Sequence, residues 1–381
     1  MSERILLYLI GAKGNIGLTT AVGLHALVNE KTATTGLVSE LPEFADKGLP
    51  KFEDFVVAGA DPNQASIVER LRALSDGNVI DHRHVGRFAE EGTKLNGRID
   101  KGIDLHEDEG TIDELVNQAK DAMLAASVAA GADRIIVVNV GTTEPAPERG
   151  EAHNTFEALL WHVHNNQRRF FTNAMLYALA AGRAGAAYIN FTPSIATEIP
   201  ALVARFAERG LPLAGKDGKT GETLLKTVLA PMFVARNVKV MSWLANNYLG
   251  NGDGEALNEH EARSTKLVSK NEALRSILGE EAHLSTDIGY APSLGDWKTA
   301  WDLIHFKGFL ETPMTMQFTW QGCDSALAAP LVIDLARFVA WAWQQGEGGE
   351  LAWLASFFKS PQGSGEHEFF KQLEMLKARF A

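Results

Sequence analysis

The sequence predicts an α/β protein with two sheets, the first parallel and wound on both faces, the second open and mostly antiparallel. The N-terminal half alternates short, nearly continuous apolar runs with polar turns and helix-like segments, which is typical of βα units around a parallel sheet. After about residue 225, longer runs with partial period-2 alternation replace that pattern and indicate antiparallel strands. From Asp324 a long apolar helix is predicted, and an amphipathic segment at 366–380 ends the chain.

The first βα unit carries a glycine-rich turn. Residues 4–10 read RILLYLI, a run typical of a strand buried on both faces, and a helix-like run at 18–28 follows. Between them, residues 11–17 read GAKGNIG, so backbone N–H groups and a helix N-terminus could approach a pyrophosphate. The spacing is G-x-x-G-x-x-G rather than G-x-G-x-x-G, which leaves a purely structural turn as the alternative to dinucleotide binding.

Later units place polar residues at predicted strand ends. A strand over Thr35–Ser39 would end in Glu40, where a ribose-binding acid often lies. A strand over Phe55–Ala58 leads to Asp61, for which a helix N-cap and a ribose contact are both open. Two further predicted strands, at 134–140 and 187–191, end in polar turns. The N-terminal half is therefore predicted to be a Rossmann-type domain with its ligand at the carboxyl ends of the strands.

The second sheet is predicted from four longer runs, at 238–245, 285–290, 300–309 and 313–320. The chain thus leaves a first domain, builds a second sheet and returns. This order predicts a two-domain enzyme whose site lies at the junction.

Composition excludes several classes of protein. The 381 residues are 45% hydrophobic and 22% charged, with a net charge of −12 and scattered Lys and Arg, so neither nucleic acid nor an anionic membrane is an expected partner. Cys323 is the only cysteine, which predicts a buried structural thiol, no internal disulfide and a reducing compartment. The apolar run Ile5–Ile10 is too short for a signal peptide or membrane span. A cytoplasmic protein is expected.

Four polar clusters near the second sheet could carry chemistry. The loop KDGKTGET at 216–223 can present backbone N–H groups to a phosphate. Lys266 and Lys270, four residues apart, would lie on one helix face and could bind an anion or simply face solvent. The others are 295–298 and 357–361, the latter with a lysine among aromatic residues. Burial lowers the pKa of such a lysine, which then exchanges protons near neutral pH.

Two His-x-His pairs, His82/His84 and His162/His164, could each chelate a metal if they lay on a strand, where residues i and i+2 share a face. No third ligand stands out nearby in sequence. Ordinary polar histidines are the preferred interpretation.

Long and unusual strings carry a resemblance over nearly the whole chain. The sequence resembles the myo-inositol-1-phosphate synthase family in its shorter bacterial and archaeal form. The strings are DGKTGETLLKTVLAPMF (217–233), NNYLGNGDGEAL (246–257), RSTKLVSK (263–270), LGDWKTAWDLIHFKGFL (294–310), MQFTWQGCDSALAAPL (316–331), VVNVGTTEPAP (137–147) and INFTPS (189–194).

The resemblance implies a Rossmann-type domain, residues 1–222 and 324–381, completed by the C-terminal segment. An inserted α+β domain, residues 223–323, would hold the catalytic open sheet and build a homotetramer. It implies NAD as cofactor and glucose 6-phosphate as substrate, converted to 1L-myo-inositol 1-phosphate by oxidation at C5, enolisation, intramolecular aldol closure and re-reduction. The alternatives are a related NAD-dependent sugar-phosphate cyclase or dehydrogenase on another substrate, and a non-catalytic NAD-binding homologue.

Site residues follow from the resemblance position by position. Lys266 and Lys359 would handle protons at the C5 oxygen and stabilise the enolate, while Lys270 and Lys298 would face the phosphate and the C1 oxygen. The phosphate loop would be Thr220, Gly221, Glu222 and Thr223, and the residues orienting hydroxyls would be Asp217, Asn247, Asn251 and Asp253. The cofactor would contact Gly11, Gly14, Asn15, Ile16, Gly17, Asp61, Asn139, Gly141, Thr142, Thr192, Asp324 and Ser325.

Two positions depart from the family pattern. The glycine loop keeps only Asn15 of the family's usual pair of asparagines. Glu222 stands where larger members have Gln, and a carboxylate beside a phosphate is unfavourable unless its backbone alone makes the contact. Asp217, Asp253 and Glu222 could hold a divalent or monovalent cation, so a metal requirement stays open.

Overall fold

The computed structural model describes residues 3–250 and 273–381 and contains two sheets. The strands are β1 (Ile5–Ile10), β2 (Phe55–Ala60), β3 (Ile99–Asp100), β4 (Arg134–Asn139), β5 (Ala187–Asn190), β6 (Pro212–Gly215), β7 (Lys239–Leu249), β8 (His283–Tyr290), β9 (Trp297–Lys307), β10 (Pro313–Cys323) and β11 (Gly349–Glu350). The helices are α1 (Asn15–Asn29), α2 (Ile67–Asp76), α3 (His82–Asn96), α4 (Ile112–Ala130), α5 (Phe156–His164), α6 (Asn173–Ala184), α7 (Pro200–Glu208), α8 (Glu222–Ala235), α9 (Asp324–Gln344) and α10 (Phe369–Ala378).

The first sheet has seven strands in the order β11-β6-β5-β4-β1-β2-β3, and all of its pairs are parallel. β1 lies between β4 and β2, where Leu6 and Tyr8 pack on one face with α4 and α6, and Leu7 and Leu9 pack on the other with α1 and α9. Helices therefore cover both faces. The predicted Rossmann-type class is confirmed, and the carboxyl ends of β1, β4 and β5 meet at one edge.

The C-terminal segment completes this first sheet, as predicted. β11 pairs in parallel with β6 at the sheet edge, and α9 packs against α1. By length and hydropathy α9 could cross a membrane, but 78% of its most apolar stretch is buried inside the fold. Val332 and Phe338 are fully buried in the core beneath the sheet, so α9 is the core helix of this layer.

The second sheet has the order β10-β9-β7-β8. β9 is antiparallel to both β7 and β10, whereas β7 and β8 are parallel, so the prediction of a mostly antiparallel sheet is confirmed. One face packs on α8 through a core of Phe233, Trp243 and Ile304. These strands fall inside residues 223–323, and the exact bounds of an inserted domain stay a prediction.

The predicted strand over Thr35–Ser39 is wrong. The segment forms a single 3₁₀ turn at Val38–Glu40, because its backbone N–H groups bind a side chain instead of a neighbouring strand. Val38 and Ser39 donate to the Asp334 carboxylate at 2.7 and 3.0 Å, and Glu40 pairs with Arg337 at 2.6 Å. Glu40 is thereby tied to α9 rather than placed at the end of a strand.

The two His-x-His pairs lie on helices and not on strands. His82 and His84 begin α3, and His162 and His164 end α5. Residues two apart on a helix point to different sides, so neither pair has the geometry that chelates a metal on a strand. Within residues 3–250 and 273–381, no cluster of three or more potential metal-ligating side chains is found.

The side chain of Glu144, in the turn after β4, binds the first backbone N–H groups of α6. Its carboxylate accepts the N–H groups of Asn173 at 2.6 Å and Ala174 at 2.9 Å, at the start of α6. It satisfies two of the helix's free donors and lies at the positive end of the helix dipole. Burial nevertheless raises the pKa of this carboxyl.

We predict that Glu144→Ala lowers the free energy of unfolding by about 2–3 kcal/mol, since it leaves two buried N–H donors without their charged acceptor. Urea denaturation followed by circular dichroism measures the change. Glu148→Ala is the matched control, because Glu148 is exposed and 3.4 Å from Arg169; its effect should stay within about 0.5 kcal/mol. Equal effects of the two substitutions would contradict this role for Glu144.

Candidate functional site

The carboxyl ends of β1, β4 and β5, the starts of α8 and α9, and the second sheet surround one cavity of about 210 Å³. Most predicted site residues line it: Gly14, Asn15, Ile16, Gly141, Thr142, Thr192, Asp217, Thr220, Gly221, Glu222, Thr223, Asn247, Lys298, Asp324, Ser325 and Lys359. Four others do not line it: Gly11, Gly17, Asp61 and Asn139. The remaining four lie outside the described residues: Asn251, Asp253, Lys266 and Lys270.

The glycine loop after β1 needs its glycines for close approach. A Cβ on Gly11, whose φ is +85°, would lie 2.9 Å from the Cα of Gly141, and one on Gly17 would lie 2.6 Å from the Gly11 carbonyl oxygen. The loop delivers the N-terminus of α1, which has no side-chain cap and no acidic residue in its first turn. This geometry fits the diphosphate of a dinucleotide.

Asp61 fixes the glycine loop to the end of β2. Its Oδ2 accepts the Lys13 N–H at 2.7 Å and its Oδ1 accepts the Asn63 N–H at 2.8 Å. The predicted N-cap role is wrong, because α2 begins at Ile67 and is capped by Ser66. Each Asp61 oxygen keeps a second lone pair, so the carboxylate can still accept a ribose hydroxyl.

Asn139 and Thr192 shape two other turns at this edge. The Asn139 Oδ1 accepts the Gly141 N–H at 3.1 Å after β4. After β5, the Thr192 hydroxyl donates to Asn190 at 3.0 Å and accepts the Ser194 N–H at 3.2 Å. Both side chains hold the backbone that lines the cavity.

The loop at 217–223 is anchored by the C-terminal segment. The Lys219 N–H donates to the Phe357 carbonyl at 2.8 Å, and the Lys359 N–H donates to the Asp217 carbonyl at 2.7 Å. Gly221 then packs against the Trp320 ring so tightly that a Cβ would lie 2.6 Å from Nε1. These contacts place the N-terminus of α8, which has no side-chain cap, at the cavity.

Two lysine–aspartate pairs line this cavity. The Lys359 Nζ lies 2.7 Å from the Asp217 Oδ1. The Lys298 Nζ contacts Asp324 and lies 3.3 Å from the Thr220 hydroxyl. The lysine side chains are only 12% and 13% exposed, so each ammonium group is held in place and shielded from bulk water. Such cations can stabilise negative charge that develops on an oxygen and can exchange protons with it.

Glu222, the unfavourable carboxylate of the sequence analysis, has a buried lysine partner. Its Oε1 lies 2.6 Å from the Lys226 Nζ, which is also 3.7 Å from the Asp302 Oδ1. The Trp243 indole N–H donates to Asp302 at 2.6 Å. Sequence reasoning missed this network, although the four-residue spacing of Glu222 and Lys226 on a helix was a usable signal.

Asp296, which the sequence analysis placed in the polar cluster 295–298 without giving it a role, joins the two sides of the cavity. Its carboxylate accepts the Asn15 amide at 3.0 Å, and the Ser325 N–H and hydroxyl at 2.9 and 3.0 Å. The Cys323 thiol donates to it at 3.2 Å. Burial raises the pKa of Cys323 to about 12, and the prediction of a buried structural thiol is confirmed.

Two buried polar atoms that line the cavity have no hydrogen-bond partner in the part of the chain that the structure describes. They are the Asn247 Nδ2 and the Thr143 Oγ1. Unsatisfied buried donors are costly, and a ligand rich in hydroxyl groups would satisfy them.

Lys219, in the loop at 217–223, is buried, and its ammonium group donates to the side-chain oxygen of Gln372 on α10. Burial, helped by the nearby charge of Lys359, lowers the pKa of Lys219 to about 7. The unfolded chain has an ordinary lysine pKa near 10.4, so between these two values it binds more protons than the folded chain.

We therefore predict that the wild type gains stability relative to Lys219→Met as the pH rises from 7 towards 10. Urea unfolding of both proteins at pH 7, 8 and 9 measures this difference in the free energy of unfolding. Lys47→Met, which replaces an exposed lysine, is the control and should show no such trend. A difference that does not change with pH would contradict the lowered pKa.

Comparisons with known proteins agree with this architecture. Residues 221–325 match the family model described as myo-inositol-1-phosphate synthase. Inositol-3-phosphate synthase 1 of Bacteroides thetaiotaomicron is 33% identical over 276 residues, which cover 69% of this chain and 64% of that protein. The Saccharomyces cerevisiae inositol-3-phosphate synthase is 32% identical over 215 residues, 53% of this chain and 40% of that protein. The matched regions thus span less than two thirds of these relatives.

Two solved structures share the fold. Inositol-3-phosphate synthase from Caenorhabditis elegans superposes with a TM-score of 0.86 and 19% identity, covering 100% of this chain and 86% of that one. A myo-inositol-1-phosphate synthase-related protein from Thermotoga maritima gives a TM-score of 0.81 and 23% identity, covering 99% and 98%. At these identities the likeness concerns the fold.

Proposed function

Because this chain belongs to the myo-inositol-1-phosphate synthase family, we propose that it cyclises D-glucose 6-phosphate to 1L-myo-inositol 1-phosphate with NAD as cofactor. The observation that carries the proposal is the convergence of Lys298 and Lys359 on the cavity that the glycine loop also reaches. A cyclase that oxidises and enolises its substrate needs cations beside the reacting oxygens, and these lysines would provide them.

The residues on the first sheet fit a dinucleotide. The glycine loop and the start of α1 would hold the diphosphate, and Asp61 would accept a hydroxyl of the adenosine ribose. Asp324 and Ser325, at the start of α9, would lie against the nicotinamide ribose. Reversible oxidation at C5 of the substrate is the chemistry that bound NAD supplies.

The chain's own residues would do the remaining work. Backbone N–H groups at the start of α8, with Thr220, Thr223 and Lys298, would bind the substrate phosphate. Lys359, oriented by Asp217 at 2.7 Å, would hold and return the proton at the C5 oxygen. Its ammonium group would also stabilise the enolate that forms when C6 loses a proton.

A cation requirement can be tested against this arrangement. Of the three carboxylates that the sequence analysis named as possible cation ligands, the two that the structure describes, Asp217 and Glu222, are each paired with a lysine. We propose that lysine ammonium groups neutralise the charges here, so that a bound cation would have to displace one of them. Turnover that survives chelation by EDTA would agree with this proposal.

Incubation with NAD and glucose 6-phosphate should yield an inositol monophosphate, detected by phosphorus NMR, without net accumulation of NADH. Net NADH would instead indicate a dehydrogenase, and no turnover would indicate a non-catalytic homologue. Absence of the cyclic product both with and without divalent cation would exclude the proposed activity.

We predict that Lys359→Ala lowers kcat by about a hundredfold to ten-thousandfold, as expected for loss of a group that transfers a proton. Lys298→Ala should mainly raise KM for glucose 6-phosphate, since it would remove a phosphate contact. Lys371→Ala, on the exposed side of α10, is the control and should behave as the wild type. Equal changes of kcat and KM in both site variants would contradict this division of roles.

The second sheet also supports the proposed homotetramer. Its outer face exposes Tyr248, Trp301 and Leu303, and the tip of the β9–β10 hairpin exposes Phe309 and Leu310 at 87% and 81%. Apolar surface of this extent usually marks an interface, and we propose that further copies of the chain cover it.

We predict a tetramer by size-exclusion chromatography with light scattering. Trp301→Lys should shift it to smaller species, because a charge would then be buried in the interface. Val128→Lys changes an apolar residue on α4 that is more exposed, 82% against 47% for Trp301, and should leave the mass unchanged. A monomeric wild type at micromolar concentration would refute the assembly.

A further inference from the structure

Arg70, on α2, lines the cavity beside Gly14 and Asn15 at the end where the glycine loop lies. Two hydrogen bonds fix the plane of its guanidinium group. The Arg70 Nη2 donates to the Asn15 Oδ1 at 3.0 Å, and the Arg70 Nε donates to the Lys13 carbonyl at 3.2 Å. The side chain is therefore positioned by the loop rather than free in solvent.

The charge of this guanidinium is not balanced by a carboxylate within residues 3–250 and 273–381. Both of its fixed partners are neutral oxygens, and no described Asp or Glu lies within ion-pair distance. A guanidinium carries five N–H donors, of which these contacts use two. A half-buried cation with free donors at a cavity wall is suited to an anionic ligand.

The other charged side chains near Arg70 already have hydrogen-bond partners within the protein. The Lys13 ammonium group points to the Asn63 carbonyl at 2.9 Å, and Lys13 does not line the cavity. Asp61 accepts two backbone N–H groups, and Asp296 accepts the Asn15 amide and Ser325. Arg70 is thus the cation that the described glycine-loop end of the cavity offers to a ligand.

The position of Arg70 indicates which anion it would bind. It flanks the N-terminus of α1, whose first turn has no acidic residue and no side-chain cap, so the helix dipole and the guanidinium act in the same direction. The loop at the start of α8, with Lys298, already offers separate donors for a sugar phosphate. The anion expected beside α1 is the diphosphate of a dinucleotide.

We infer that Arg70 binds the diphosphate of the cofactor and, through Asn15, holds the glycine loop in register with Asp296. The inference rests on the proposed use of NAD. Arg70 supplies charge directly to the ligand and orients the Asn15 amide, whose Nδ2 reaches Asp296 at 3.0 Å. Cofactor binding is thereby linked to the strand β9 that carries Lys298.

Isothermal titration of NAD, ADP and adenosine into the full-length protein tests the inference without any measurement of turnover. Arg70→Gln should weaken binding of NAD and ADP about tenfold to a hundredfold, as for the loss of a charge-assisted bond, and leave adenosine unchanged. It should also reduce the salt dependence of NAD binding. The affinity of Arg70→Lys for NAD and ADP should lie between those of the wild type and Arg70→Gln, because lysine keeps the charge but lacks the planar guanidinium group.

Arg72→Gln is the matched control, since Arg72 is exposed on the same helix, and its NAD affinity should equal that of the wild type. Thermal melting shows whether each variant folds; should Arg70→Gln fail to fold, the loss of NAD and ADP affinity in Arg70→Lys decides. Unchanged NAD affinity in the Arg70 variants would overturn this inference but not the proposed use of NAD. Equal losses for ADP and adenosine would also overturn it. A wild type that does not bind NAD would overturn the proposed cofactor itself.

Discussion

The hydrogen bonds of Asp296 are the interaction on which the geometry of the site depends. This buried carboxylate accepts Asn15 from the glycine loop, Ser325 from the start of α9 and Cys323 from the end of β10. It therefore ties the first sheet, its core helix and the second sheet together at one point. Because Asp296 lies two residues before Lys298, the same contacts set where that lysine enters the cavity relative to the glycine loop.

The cavity holds lysine side chains in a chain whose net charge is −12. Cations that would bind the proposed phosphosugar must be kept in place before it arrives, and each site lysine that the structure describes has a carboxylate partner. Lys359 is held by Asp217 and Lys298 by Asp324. Pairing of this kind lowers the cost of burying an ammonium group, and a bound anion can then share or take over the contact.

Much of the fold could be predicted because local sequence patterns indicate its strands and helices. Buried parallel strands appear as continuous apolar runs, and the four strands of the second sheet lie within a few residues of their predicted positions. The failures involve partners distant in sequence. Residues 35–39 do not form the predicted strand because the Ser39 N–H donates to Asp334, about 295 residues away, instead of to a neighbouring strand. Asn15 likewise binds Arg70 and Asp296, which lie 55 and 281 residues away in the sequence. No local pattern encodes such contacts.

The central claim is that one cavity between the two sheets holds both the cofactor and the phosphosugar. A crystal structure with NAD and inorganic phosphate bound tests it most directly. The account predicts phosphate at the backbone N–H groups of residues 220–223 beside Lys298, with the nicotinamide between Asp324 and Lys359. Phosphate bound away from this loop, or a nicotinamide outside the cavity, would contradict it.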